Sequence, residues 1–229
     1  SLRPIDMAKG ATVALTWGAG IVLAKDAIAH FPPILLMAFR FAVCAAVLVW
    51  FAPIPRALLP RLAGVAGVVA AIQYSLTFTG LAGIDASLAV LVVQLEVPFL
   101  VLLGAIALRE RVSRRKWLGV GLALAGVAVI AGGPAVDAAA VGSMLLVIIG
   151  AMSWAVGQVM IRKLPEISGL SLTAWIAVFA APQLFVMSLA FETGQSAAIA
   201  EADWSLWLIV LYLGLFMTVV GYGLWYGLV

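Results

Sequence analysis

Residues 86–107 read ASLAVLVVQLEVPFLVLLGAIA, an apolar run of 22 residues with one acidic side chain, Glu96, near its centre. An α-helix needs about 20 residues to cross a hydrocarbon core about 30 Å thick. Inside lipid the backbone amides and carbonyls must bond within their own segment, because no water reaches them. The run is therefore predicted to be a membrane-spanning helix.

Other apolar blocks of comparable length fill most of the chain. Of the 229 residues, 66% are hydrophobic and 10% are charged, whereas a typical globular domain is about a quarter charged. The sequence therefore predicts an all-α polytopic membrane protein. The eight predicted spans are 8–28, 33–52, 62–81, 86–107, 116–133, 139–161, 170–190 and 205–228.

The positive charges lie in alternate gaps between these blocks. Of the 13 Lys and Arg residues, all except Lys25 and Arg40 fall near the N-terminus or in the gaps 53–61, 108–116 and 162–169. Short loops rich in Lys and Arg stay in the cytoplasm during membrane insertion. The N-terminus is therefore predicted to be cytoplasmic.

The beginning of the chain resembles its second half. The aligned pairs are, at an offset of 137 residues, Thr16-Trp17 with Ser153-Trp154, Gly20 with Gly157 and Lys25 with Arg162, and, at an offset of 148 residues, Tyr74 with Tyr222. A repeat of that length contains five helices, an odd number, so the second copy would enter the membrane from the opposite side. Inverted repeats of this kind enclose a midplane site in many secondary transporters.

Short motifs with Trp, Arg or Gly at fixed places occur in several predicted spans and junctions. They are Leu15-Thr16-Trp17-Gly18, Ala38-Phe39-Arg40-Phe41, Arg109-Glu110-Arg111-Val112-Ser113, Ser153-Trp154-Ala155 and Tyr212-Leu213-Gly214. These motifs resemble the drug/metabolite transporter superfamily, EamA type, and they extend over essentially the whole chain. In that family the 109–113 junction reads Gly-Glu-Arg-Leu-Ser, so Arg109 stands in place of a glycine. Bacterial amino-acid exporters are the most similar members.

The resemblance implies ten helices in two inverted five-helix repeats. Residues 1–134 would form the first repeat and residues 135–229 the first three helices of the second, with two more helices expected beyond the eight spans. It further implies a bacterial inner-membrane transporter that exports small neutral metabolites, above all amino acids, by alternating access. The expected partners are a small-molecule substrate and membrane lipid, with protons and a homodimer as open alternatives. No cofactor is expected.

An oligomeric channel, and an exporter of other metabolites or drugs, are the alternative functions. Channels need rings of charges or carbonyls, usually from several subunits, whereas an inverted repeat favours alternating access. An enzyme is disfavoured because His30 is the only histidine and no Gly-x-Ser-x-Gly motif occurs. The single histidine also excludes a His-rich metal site, and basic residues confined to short loops argue against nucleic-acid binding.

Glu96 is the strongest candidate for a functional residue, because an ionisable group in mid-membrane is costly without a role. It could bind the ammonium group of a substrate or carry a proton, or it could be a structural carboxyl bonded to a neighbouring helix. Pro98 lacks an amide proton and is expected to free backbone carbonyls around Gln94 and Leu95. Gln94 is therefore included in the predicted substrate site.

Arg40 and several amides extend this candidate site. Arg40 could attract a substrate carboxylate, pair with an acidic group, or snorkel to the outer interface. We predict that three amides are buried, those of Gln73, Gln94 and Gln158. An amide has hydrogen-bond donors and an acceptor, so it can bind both the ammonium and the carboxylate group of a zwitterion, or it can join two helices. We retain Arg40, Gln94 and Gln158 as predicted substrate-binding residues.

Aromatic residues away from the block ends complete the prediction. A small-molecule site is an apolar cavity with a few polar groups, and aromatic faces can also hold an ammonium group. Ordinary core packing is the alternative for each of them. The predicted cavity-lining aromatics are Trp17, Tyr74, Trp154, Tyr222 and Trp225.

Overall fold

The computed structural model describes residues 4–53, 55–131 and 138–221, which form helices and the turns between them. The α-helices are α1 (Pro4–Ile28), α2 (Pro33–Leu48), α3 (Leu59–Ala66), α4 (Gln73–Ala82), α5 (Ala86–Val93), α6 (Glu96–Ala107), α7 (Arg114–Ala131), α8 (Ala138–Arg162), α9 (Gly169–Phe191), α10 (Gln195–Glu201) and α11 (Trp204–Tyr212). The 3₁₀ turns are Val49–Phe51 and Arg56–Leu58, and the π-helical segments are Gly67–Ile72 and Leu213–Val220. The predicted all-α polytopic membrane fold is confirmed.

The number of spans differs from the eight predicted. By length and composition, six helices in the described ranges can cross a membrane, or seven if one sharply bent pair counts as a single span. The bent pair is α10 with the helix 204–220, which meet at 109°. The predicted span 116–133 is helical as α7, but its first turn consists of three basic residues, Arg114, Arg115 and Lys116, which leaves a short apolar part.

The span 86–107 is interrupted near its middle, as the position of Pro98 predicts. α5 ends at Val93 and α6 begins at Glu96. The amide of Leu95 donates to the carbonyl of Val92 at 3.1 Å, and the amide of Val97 donates to that of Gln94 at 3.2 Å. Pro98 has no amide proton to complete the regular bond to Gln94, so the chain tightens to three-residue spacing there.

The helices form two compact units. Unit 1 contains Ser1–Ala66 and Glu166–Val229, and unit 2 contains Gly67–Pro165. In unit 1, α2 packs along α9, α3 also contacts α9, and the π segment 213–220 contacts both α1 and α2. In unit 2, α8 contacts α4, α5, α6 and the π segment 67–72.

In unit 1, the end of α9 closes the beginning of α2. The carboxylate of Glu192 accepts hydrogen bonds from the amides of Ile34 at 2.7 Å and Leu35 at 3.1 Å. Pro33 occupies the first turn of α2, where a missing amide proton leaves nothing unsatisfied. An anion at a helix N-terminus also interacts favourably with the helix dipole, so this contact stabilises the start of α2.

Glycines allow α8 to approach the 67–82 region closely within unit 2. A Cβ atom on Gly157 would lie 2.6 Å from Cβ and 3.0 Å from Cα of Val69. A Cβ atom on Gly150 would lie 3.2 Å from the carbonyl oxygen of Gln73 and would also press on Thr77 Oγ1. Close backbone approach through small residues is a usual source of helix association in membranes.

The junction between α6 and α7 has an unusual backbone. Arg109 has φ = 54°, in the left-handed region that glycine enters without steric cost. Next to it, Glu110 Oε1 accepts a hydrogen bond from Arg162 Nη1 at 2.8 Å, which ties the junction to the end of α8. Arg109 thus occupies the position where the sequence motif resembles a family pattern with glycine.

Candidate functional site

Glu96 lies at the break between α5 and α6, as the first residue of α6. It is half-buried, and within the described ranges no hydrogen bond or ion pair reaches its carboxylate. The N-terminus of a helix carries a partial positive charge, so the break gives this carboxylate a favourable electrostatic environment in mid-span. An unpartnered carboxylate at such a position can accept hydrogen bonds from an ammonium group or take up a proton.

The residues next to Glu96 face different environments. Leu95 is buried in a cluster with Phe99, Ala151 and Ala155, and Trp154 packs against that cluster. Gln94 is exposed, so the prediction that its amide is buried is wrong. The reason is geometric, since the tightened turn directs Leu95 toward α8 and leaves the Gln94 side chain exposed.

Unit 2 also contains three other predicted site residues. Tyr74 is 8% exposed and its ring stacks on that of Phe78, with 5.7 Å between the centroids. Trp154 is half-buried against the Leu95 cluster, and Gln158, which follows one turn later on α8, is half-buried as well. The structure therefore brings Trp154 to the break that bears Glu96, while Tyr74 lies in a stacked aromatic pair.

Arg40 is buried in unit 1 with 1% of its surface exposed. Its Nε donates to Thr218 Oγ1 at 2.9 Å, and the Thr218 hydroxyl donates to the carbonyl of Leu213 at 2.9 Å. The guanidinium carbon also lies 5.6 Å from the centroid of the Phe41 ring. The interpretation of Arg40 as a residue that snorkels to the interface is wrong, because the side chain is enclosed by neighbouring helices.

Trp17 reaches the same π segment as Arg40. Its indole Nε1 donates to the carbonyl of Met217 at 3.1 Å, one residue from the threonine that Arg40 contacts. Two predicted site residues on different spans therefore meet on adjacent residues of the segment 213–220. The predicted residues Tyr222 and Trp225 lie outside the described residues.

Sequence reasoning missed Thr218, which connects Arg40 to the backbone of the π segment. The available signal was a hydroxyl group inside the apolar block 205–228. Gln73 was considered only as one of several amides, yet its environment is distinctive. Its Nε2 donates to Thr77 Oγ1 at 3.2 Å, while its buried Oε1 has no hydrogen-bond partner among the described residues. Buried acceptors of this kind are rare in native structures.

Two proteins are similar to this chain over nearly its whole length. A protein of Salmonella typhimurium named "Probable amino-acid metabolite efflux pump" is 30% identical over 226 residues, which cover 93% of this chain and 74% of that protein. A protein of Escherichia coli with the same name is 30% identical over 224 residues, with the same shares covered.

A solved structure and a family profile complete the comparison. A crystal structure with 23% identity superposes with a TM-score of 0.66 and covers 99% of this chain and 80% of its own, which supports the fold. The profile of the EamA-like transporter family matches residues 7–132 and 141–229. The chain is a multi-pass membrane protein that belongs to the EamA-like transporter family.

Proposed function

We propose that the protein is a secondary transporter that exports small neutral metabolites, with amino acids as the favoured class. The observation that carries the proposal is the unpartnered carboxylate of Glu96 at a helix break in mid-span. Broken helices whose termini face the substrate are a recurrent means of building transporter sites near the midplane. The names of the Salmonella and Escherichia relatives support the substrate class.

The contacts between helices support two inverted repeats, with boundaries at 1–134 and 135–229. The segment 213–220 in the eighth predicted span contacts α1 of the first, and the segment 67–72 in the third span contacts α8 of the sixth. In the two proposed repeats, the first span corresponds to the sixth and the third span to the eighth. The two contacts are therefore equivalent. The contact of α2 with the segment 213–220 has the same relation to the contact of α9 with α3. The family profile likewise matches in two separate ranges.

The two π segments support the same symmetry. At the offset of 148 residues that aligns Tyr74 with Tyr222, the segment 67–72 falls on residues 215–220, inside the second π segment. Each segment receives a side-chain hydrogen bond on a backbone carbonyl. The donors are Trp17 Nε1 to Met217 at 3.1 Å and Ser153 Oγ to Val68 at 2.7 Å. At the offset of 137 residues Trp17 aligns with Trp154, the neighbour of Ser153, so the two donors come from nearly the same position in the first helix of each repeat.

In this proposal the two repeats alternate between inward-open and outward-open states around a substrate cavity. Trp17, Arg40, Tyr74, Gln94, Glu96, Trp154, Gln158, Tyr222 and Trp225 are the proposed site residues. Arg40 and Trp17 act by holding the segment 213–220 in place, whereas Glu96 acts on the substrate or the proton directly. The proposed location is a bacterial inner membrane, and the distribution of Lys and Arg supports a cytoplasmic N-terminus.

Transport by the purified protein in liposomes tests the proposal. Labelled amino acids are offered to vesicles that contain an excess of the same unlabelled amino acid, and entry of label by exchange is measured. Entry of label that is faster with the unlabelled amino acid inside than without it requires a carrier that returns loaded, so this comparison also separates a transporter from the alternative of an oligomeric channel. If no amino acid exchanges, the substrate class is wrong, and a screen of other metabolites and drugs tests the remaining alternative.

The variant Glu96→Gln distinguishes the two roles of the carboxylate. Loss of exchange, or a raised KM for exchange, indicates that Glu96 binds the ammonium group. Normal exchange combined with loss of uptake driven by a pH gradient indicates that it carries the proton. Asp85→Asn is the matched control, since Asp85 is exposed at the start of the same broken span. Normal transport by Glu96→Gln in both assays would contradict the proposal.

A further inference from the structure

A dense group of positive charges surrounds the junction between α6 and α7. We call it the junction cluster, and it consists of Arg109, Arg111, Arg114, Arg115 and Lys116. All five side chains are exposed. The ion pair between Glu110 and Arg162 brings the end of α8, with Lys163, to the same side of unit 2. The cations of two loops therefore lie on the same side of unit 2.

The patch has almost no counter-charge within the protein. Glu110 is the only acidic residue between Glu96 and Asp137 in the sequence, and its carboxylate is already bonded to Arg162 at 2.8 Å. Among the described residues, the five members of the junction cluster make no ion pair. Their mutual repulsion is therefore uncompensated in the isolated chain. An anion from outside the chain would remove that repulsion.

The location of the patch indicates which anion is available. The junction follows the end of the candidate span 86–107 and precedes the apolar part of α7, so it lies where the hydrocarbon region gives way to the headgroups. Trp117 follows directly and is 46% exposed, and tryptophan favours the headgroup level of a bilayer. The cations are thus held at the depth of lipid phosphates.

The backbone at Arg109 adds a further indication. At φ = 54° a residue with a side chain is disfavoured by steric contact, and glycine is not. The chain nevertheless has an arginine there, which adds a fifth cation to the cluster. Strained residues that persist in a fold are frequently associated with binding sites. Because of this strain, Arg109→Gly should relieve the backbone at the same time as it removes a charge.

We propose that the junction cluster binds the headgroup of an anionic phospholipid in the surrounding leaflet. The lipid phosphate lies against the exposed guanidinium and ammonium groups, while the acyl chains run along the apolar surface of α7. This surface of α7 is largely exposed in unit 2, including Leu118 and Leu122 at 68% and 74%. The interaction is independent of the transport reaction, and a protein that moved no amino acid could still have it.

Thermal unfolding of the purified protein in a neutral detergent tests this proposal. Dioleoyl phosphatidylglycerol is titrated into one series and dioleoyl phosphatidylcholine into another. The melting temperature is expected to rise with the anionic lipid and to stay nearly constant with the neutral one. The midpoint is the lipid concentration at which half of the rise in melting temperature is reached. The double variant Arg114→Gln/Arg115→Gln should raise this midpoint about 25-fold, at about fivefold for each charge removed.

Two comparisons separate lipid binding from other effects. Arg56→Gln/Arg61→Gln removes two exposed cations from another loop and should leave the midpoint unchanged. Arg109→Gly should raise the midpoint about fivefold. Its melting temperature without lipid should be no lower than that of the wild type. An unchanged midpoint in Arg114→Gln/Arg115→Gln, or an equal effect in the control pair, would overturn the proposal. An equal stabilisation by glycerol phosphate, which has no acyl chains, would show a site for free phosphate instead.

Discussion

Arg40 Nε and Thr218 Oγ1 are joined by a hydrogen bond of 2.9 Å, although the two residues lie 178 positions apart in the chain. Both side chains are almost fully buried, with 1% of each exposed. The threonine hydroxyl also donates a hydrogen bond to the carbonyl of Leu213, so it is both an acceptor and a donor. One hydroxyl group therefore accepts from the Nε of a buried cation and donates to a backbone carbonyl of the π segment 213–220.

Replacing Thr218 by valine should destabilise the protein. Valine has nearly the same shape but no hydroxyl, so the Nε of Arg40 loses this acceptor and the Leu213 carbonyl loses this donor. We expect the free energy of unfolding to fall by about 1 to 3 kcal/mol, measured by thermal unfolding in detergent. Thr218→Ser keeps the hydroxyl and should lose much less. A Thr218→Val protein as stable as the wild type would show that this bond contributes nothing.

Arg109→Gly should stabilise the protein in the absence of anionic lipid. The substitution removes the steric strain at φ = 54°, and the greater freedom of glycine in the unfolded chain offsets part of the gain. We expect a net increase of about 0.5 to 1 kcal/mol in the free energy of unfolding. Arg109→Ala removes the same charge but keeps a Cβ atom, so it serves as the control. Equal stability of the glycine and alanine variants would argue against backbone strain.

Two glycine-to-alanine substitutions on α8 should have effects of opposite sign. A Cβ atom at Gly157 would meet Val69, including its Cα at 3.0 Å, and backbone atoms cannot move aside easily. A Cβ atom at Gly142 would have no neighbour within 4 Å. We expect Gly157→Ala to lower the free energy of unfolding by about 1 to 3 kcal/mol and Gly142→Ala to raise it by about 0.5 to 1 kcal/mol. Melting temperatures of the two variants that shift in the same direction would contradict this packing.

The contribution of Asp203 to stability should disappear at low pH. Its carboxylate accepts hydrogen bonds from Ser205 Oγ at 2.7 Å and from the amide of Leu206 at 3.0 Å, and these bonds lower its pKa below the usual 3.8. A carboxyl with a lowered pKa stabilises the fold above the unfolded pKa and loses that effect as pH falls through the folded pKa. The melting temperature of the wild type should therefore be higher than that of Asp203→Asn at neutral pH, and the difference should shrink below about pH 4.

The control for this experiment is Asp85→Asn. Asp85 precedes α5 as Asp203 precedes α11, but its side chain makes no capping hydrogen bond. Its substitution should leave the melting temperature nearly unchanged at every pH. A difference between wild type and Asp203→Asn that was as large at pH 3 as at neutral pH would mean that the charge of Asp203 is not what stabilises α11.

Features with a local cause could be predicted from the sequence. The break at Gln94 follows from Pro98, whose missing amide proton acts within one helical turn. The helical nature of the blocks follows from their length and composition. Glu96 could be singled out because a carboxyl in mid-span is conspicuous in any apolar block, whatever surrounds it.

Features that depend on distant partners could not be predicted. The π segment 213–220 could not be predicted from its own residues alone, because one of its carbonyls, that of Met217, accepts a hydrogen bond from Trp17, which is 200 positions away in the sequence. The role of Arg40 stayed open for the same reason, since only the fold shows that Thr218 lies beside it. The sequence predicts a buried Gln94 because a regular helical pattern does not show how side chains turn at a break in the helix.

The Glu192 contact at the start of α2 has a mechanical consequence. Both oxygens of one carboxylate, at the end of α9, hold two successive amides of α2. Sliding one helix along the other would have to rupture both charge-assisted bonds together, whereas tilting around that shared end would leave them in place. We therefore expect any relative motion of these two helices to favour a tilt about their shared end over a displacement along their axes.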